Sequence, residues 1–312
     1  MTTELSPFDV GKVFELSDGR QLGYVSIGNN SSSITAVYFH GLSGSRLEVL
    51  NHVKEVENSG TRLISVDRPG IGLSSSNSNG TLLSFGKDIN ELLDYLEISS
   101  VSLVAFSGGA PYALACAYLS EQSDHKVSSV ALLSGLGPIR MIGTKDMMLA
   151  NRIIFSISPY SPTVVSLIFW LFARNVRSRL ENGDPNVINE VVSSILGQSS
   201  VQPSDKLLLQ DLDDDERFNY LVGVFEAYRN GASGVGHDAY LISRDWGFNE
   251  SDIKVPVYIY HGSDDVNVPF RMADYMCNKL SNAVLHKLDS SAHVSTRFHS
   301  MEKALTESNM WL

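Results

Sequence analysis

The chain has 312 residues, 43% of them hydrophobic and 19% charged, which suits one large domain with an insertion, or two domains, and a core of ample size. Its 35 Asp and Glu against 24 Lys and Arg leave a formal charge of −11, and so acidic a surface argues against nucleic acid or anionic membranes as partners. Only two cysteines are present, Cys116 and Cys277, without metal-ligand spacing; with no secretory leader evident at the N-terminus, they fit a reducing, cytoplasmic setting.

Residues 12–28 read as two strands joined through Asp18-Gly19, a hairpin turn pair. Apolar, β-branched runs recur at 34–39, 62–66, 101–106, 127–133, 255–260 and 284–288. Segments of helical periodicity, such as 82–96 and 269–280, lie between most of them. Short buried strands alternating with helices predict an α/β fold with a mostly parallel central sheet flanked by helices.

The alternation stops between 137 and 250, where several helices and no convincing strand are read. Such an insertion is too long for a loop and predicts a helical cap (137–250) on a core built from 1–136 and 251–312. Within it, 153–173 is uncharged and about long enough to span a membrane. Pro159, Pro162 and several serines interrupt it, so two short apolar helices joined by a Tyr-Ser-Pro bend are expected and no membrane span. The acidic run 211–216 lacks the spacing of a calcium loop and reads as a solvated face or a helix start.

The chemistry begins at Leu103-Val-Ala-Phe-Ser107-Gly-Gly, an apolar strand that turns into a helix on a serine. A nucleophilic serine must project clear of the sheet from a strained backbone, and small neighbours let strand and helix approach. Its hydroxyl needs a histidine base, and that histidine needs a carboxylate to fix its tautomer. The strand at 255–260 runs into His261-Gly-Ser-Asp264-Asp265-Val-Asn-Val268-Pro269, where Asp265 keeps the required spacing and Asp264 reads as a turn residue. The next strand ends in Ser290-Ser-Ala-His293, and of the eight histidines this one has the order and setting of the base. The loop His40-Gly41-Leu42 follows an early strand, so the Leu42 and Gly108 amides are the expected oxyanion donors. Arg46 reads as a brace for that loop.

With these marks and Asp67-Arg-Pro-Gly-Ile-Gly-Leu-Ser74, the chain resembles the α/β-hydrolase-fold superfamily, in particular its capped serine hydrolases. The resemblance covers nearly everything outside the cap and implies a Ser107, His293, Asp265 triad, with Asp67 structural. Ala105 stands where the family's elbow usually has glycine, and Ser-Ser-Ala precedes the histidine where Gly-x-Gly is common. The reaction implied is cleavage of an ester-type bond in a small, largely apolar substrate. Carbon–carbon hydrolases and acyltransferases use the same triad, and a ligand-binding protein can keep the fold without catalysis. Phe155, Tyr160, Phe169 and Trp170 are candidates to line an acyl pocket, and His237 is a further candidate substrate contact. No cofactor or metal is indicated, and no pattern specifies an oligomeric state.

Overall fold

Strands form where apolar and β-branched residues run together. They are β1 (Lys12–Glu15), β2 (Gln21–Gly28), β3 (Thr35–Phe39), β4 (Arg62–Val66), β5 (Ser100–Phe106), β6 (Lys126–Leu133), β7 (Val257–Gly262) and β8 (Ala283–Leu288). In this computed structural model, which describes residues 8, 10–121, 125–184 and 186–310, the eight make one sheet ordered β1-β2-β4-β3-β5-β6-β7-β8. Apart from Phe8 and the residues from 10 on, the N-terminal segment read above for a leader lies outside the described residues. The pairs β1–β2 and β2–β4 are antiparallel; every pair from β4 across to β8 is parallel.

The helices of the core are α1 (Val53–Asn58), α2 (Leu82–Tyr95) and α3 (Ala110–Ser120). Between β6 and β7 come α4 (Ile139–Ile142), α5 (Leu149–Ile157), α6 (Pro162–Ala173), α7 (Val176–Glu181), α8 (Val187–Gly197), α9 (Pro203–Asp211), α10 (Asp214–Phe225) and α11 (Ser233–Ile242). The chain returns to the core with α12 (Phe270–Lys279) and α13 (His293–Asn309).

Alternation along each strand divides the core into two layers. On one face Val37, Phe39, Leu103 and Ala105 pack against Phe85 and Ile89 of α2, Leu114 of α3 and Met272 of α12. On the other, Tyr38, Val104 and Phe106 share a cluster with Val56 of α1 and Met301 and Leu305 of α13. A third cluster joins Leu221, Val222 and Phe225 of α10 to Leu47 and Ile71 of the core, and so ties the inserted helices down by apolar burial.

The uncharged stretch 153–173 breaks at its prolines into α5 and α6, and among the described residues no helix is long and apolar enough to cross a membrane. The acidic run starts α10: the Asp213 carboxylate accepts from the Glu216 amide at 2.8 Å, and Glu216 accepts from the Asp213 amide at 3.0 Å. This is a reciprocal cap with two further acids, Asp214 and Asp215, beside Glu216 in the first turn.

Candidate active site

Strand order reverses at β3, whose neighbours are β4 on one side and β5 on the other. A crevice opens at such a reversal, at the carboxyl ends of the strands. The loop after β3 and the serine after β5 therefore meet there. Ser107 holds φ +50, a left-handed conformation uncommon outside glycine, with its carbonyl tied to the Leu136 amide at 2.9 Å. Two residues on, a side chain at Gly109 would collide with the Phe39 carbonyl, so the elbow can sit against the end of β3 only as glycine. That closeness brings the amide of Leu42 to 3.0 Å from where a Gly108 Cβ would be. The Leu42 amide has no acceptor among the described residues. The Leu42 amide is thus available beside Gly108, which lies in the helical turn that begins at Ser107.

Asp265 and His293 arrive from β7 and β8, respectively. Asp265 is buried, and its Oδ1 accepts from the amides of Asn267 at 2.9 Å and Val268 at 2.8 Å. Its Oδ2 lies 2.7 Å from His293 Nδ1, while His293 Nε2 lies 2.9 Å from Ser107 Oγ. The tautomer that satisfies both has the proton on Nδ1, leaving Nε2 to accept from the serine. Asp264 is exposed and accepts from the Ser263 hydroxyl at 2.8 Å. His261 bonds the Val268 carbonyl at 2.7 Å and so braces the turn that carries Asp265.

Burial alone would raise the Asp265 carboxyl, but the charge and hydrogen bond of His293 outweigh it and hold the acid below its ordinary value. Burial alone would lower the His293 imidazole, but Asp265 outweighs it and holds the histidine above its ordinary value. The two shifts are the two sides of one ion pair.

The loop carrying Leu42 is held from both sides. Glu48 Oε2 accepts from the Gly41 amide at 3.0 Å, and Glu48 Oε1 pairs with Arg297 at 2.7 Å. Arg68 donates to the carbonyls of His40 and Gly41, the latter at 2.9 Å, and is itself gripped by Asp238 of α11 at 2.6 Å. Arg46 pairs with Asp67 at 2.8 Å and with Glu226, beyond α10, at 2.7 Å. Arg46 thus braces the loop through its own backbone position, and Asp67 spends its oxygens on Arg46 and the Leu73 amide.

A cavity of about 370 Å³ opens above Ser107, within the range of small-ligand pockets. Phe155 and Phe169 line it, and Phe172 stands with them. Tyr160, Trp170 and His237 lie outside it. Tyr160 is 87% exposed in the bend between α5 and α6. Trp170 is one residue, and so about 100° of helix, past Phe169, and it stacks instead under Arg174 at 5.3 Å. His237 lines a separate crevice with Arg68 and Tyr112, and burial lowers its pKa. Sequence reasoning did not find Glu48, Asp205, Tyr220 or Arg297, which also line the cavity. Helical spacing from His293 to Arg297 was the available signal for the last. Among the described residues, no group of three or more His, Cys, Asp or Glu side chains is arranged to hold a metal ion.

A mostly parallel sheet with its elbow at the reversal of strand order puts this chain in the class of α/β proteins whose sites open at the carboxyl edge. The family described as alpha/beta hydrolase fold matches residues 37–296, and the chain belongs to it. Similar solved structures include an esterase from Exiguobacterium antarcticum, at TM-score 0.60 and 20% identity over 96% of this chain and 98% of that one. The enol-lactonase from Burkholderia xenovorans LB400 aligns at TM-score 0.62 and 15% identity, over 96% and 100% of the two chains. A bromoperoxidase from Bacillus anthracis aligns at TM-score 0.62 and 18% identity, over 96% and 98%. At these identities the likeness is one of fold. A curated relative, a putative non-heme chloroperoxidase from Synechocystis, is 28% identical over 136 residues, 39% of this chain. The match spans about half of that relative's length, 48%.

Proposed function

We propose that this chain is a serine hydrolase that cleaves an ester-type bond in a small, largely apolar substrate. Ser107 attacks the carbonyl carbon while His293 Nε2 takes its proton. The tetrahedral oxyanion faces the amides of Leu42 and Gly108, and its collapse expels the alcohol, which takes the proton from His293. Water, activated by the same histidine, then releases the acid from the acyl-enzyme. Asp265 orients the imidazole and stabilises its charged form. In this reading residues 137–250 act as a lid, with Phe155 and Phe169 against the acyl group. The observation that carries the proposal is the unbroken contact from Asp265 through His293 to Ser107 at the floor of a cavity walled mainly, though not wholly, by apolar side chains.

The test is hydrolysis of a short p-nitrophenyl ester and labelling by a fluorophosphonate. Ser107→Ala should lower kcat/KM by about 10⁴-fold or more and abolish labelling. Turnover that survives the change removes Ser107 from the chemistry. His293 must be neutral to accept the proton, so activity should fall as pH drops through a value above the ordinary histidine figure of 6.5.

A further inference from the structure

The helix α13 begins on His293 itself, so the orientation of the base depends on how the first turn of that helix is held. A carboxylate from the inserted helices sits on this turn. Asp205 of α9, only 4% exposed, accepts from the Ser295 amide at 2.8 Å through Oδ1 and from the Val294 amide at 3.3 Å through Oδ2. The neighbouring Ser204 hydroxyl contacts the Ser295 hydroxyl at 3.3 Å, and that hydroxyl accepts from the Ala292 amide at 2.9 Å. The residues on both sides of His293 are therefore tied to α9. Asp205 also lines the cavity above Ser107.

We propose that Asp205 is a positioning residue for His293, a carboxylate carried by the cap that fixes the histidine over Ser107 when α9 is seated on the core. The inference rests on the triad reading above and extends it to the cap. A helix start leaves amides without partners and carries partial positive charge, so an anion there both satisfies the donors and holds the turn. The same anion acts on the imidazole through space. The groups facing His293 are Asp265 and His261 from the end of β7, Ser107 from the elbow, Asp205 from α9, and Arg297 from its own helix. Arg297 is in turn paired with Glu48. Burial lowers the His293 pKa; Asp265 and then Asp205 raise it, with Arg297 opposing them. Seating of the cap would thus set both the direction and the basicity of the base, which links closure over substrate to competence of the triad.

If Asp205 merely stabilised α13, its loss would cost folding energy and leave the pH profile of turnover unchanged. The deciding experiment is the pH dependence of kcat and KM for Asp205→Asn, beside wild type and Ser107→Ala. Asparagine keeps one acceptor for the Ser295 amide and removes the charge. Its rising limb should move to lower pH, and its kcat should fall by about 10-fold to 100-fold, as a small misplacement of a base costs. KM should stay within about threefold. If Asp205→Asn does not fold, Asp205→Ser supplies a short neutral cap, and the same shift of the limb is expected. An unmoved limb in a folded variant, or a change confined to KM, overturns the assignment. Retained turnover in Ser107→Ala instead removes the triad reading on which it stands.

Discussion

At Glu48 one carboxylate accepts from the Gly41 amide at 3.0 Å and the Tyr38 hydroxyl at 2.9 Å while pairing with Arg297 at 2.7 Å. The Arg297 side chain is 2% exposed and lies over the Phe106 ring at 4.7 Å. Its guanidinium is therefore out of water, and removing its counter-charge leaves a buried cation uncompensated. Glu48→Gln should destabilise the fold by about 3–5 kcal/mol in a denaturant titration. A loss below about 1 kcal/mol would mean that water reaches this pair. The neutral amide can still accept from Gly41, so the expected cost lies in the ion pair more than in the loop.

Among the elements, α6 and α11 show how close packing shapes the cavity wall. A side chain on Gly236 would collide with the Ser166 hydroxyl and come within 2.6 Å of the Pro162 carbonyl. The hydroxyl can rotate away, but the carbonyl belongs to the first turn of α6 and cannot. Gly236→Ala should therefore push α6 outward, lowering stability by about 1–3 kcal/mol and raising KM as Phe169 shifts. Unchanged melting and KM would show that the helix pair has slack. The strand runs read at 34–39 and 127–133 correspond to β3 and β6, because contiguous apolar residues are a local signal. The faces of the inserted helices were not legible in this way. In α6 nearly every residue is apolar, so periodicity cannot separate Phe169 from Trp170. Asp205 looks, in sequence, like an acid stabilising the first turn of its own helix, whereas it serves the first turn of another.

For the molecule as a whole, the buried histidines set the response to acid. Burial pushes His40 and His52 well below the ordinary value of 6.5 and lowers His237 and His261 as well. As pH falls below that value the unfolded chain takes up protons that the folded one refuses, so their contribution is complete above 6.5 and is lost on acidification. His293 acts oppositely: its raised pKa adds stability that is present below 6.5 and lost as pH rises through its folded value. Four groups against one predict a lower Tm at about pH 5.5 than at about pH 7.5 by calorimetry, and a Tm that holds or rises on acidification would contradict the balance. His52→Phe should shrink the difference, since both ring nitrogens of His52 are buried without a partner among the described residues. By itself the sequence determined the strands, the elbow and the order in which serine, aspartate and histidine follow strand ends, since each is written in a few adjacent residues. Only the tertiary structure decided that Ser107 and His293, 186 residues apart, stand 2.9 Å from each other, and which side chains of the inserted helices face them. Such contacts depend on how helices and strands pack across the whole chain, and no local pattern carries that information.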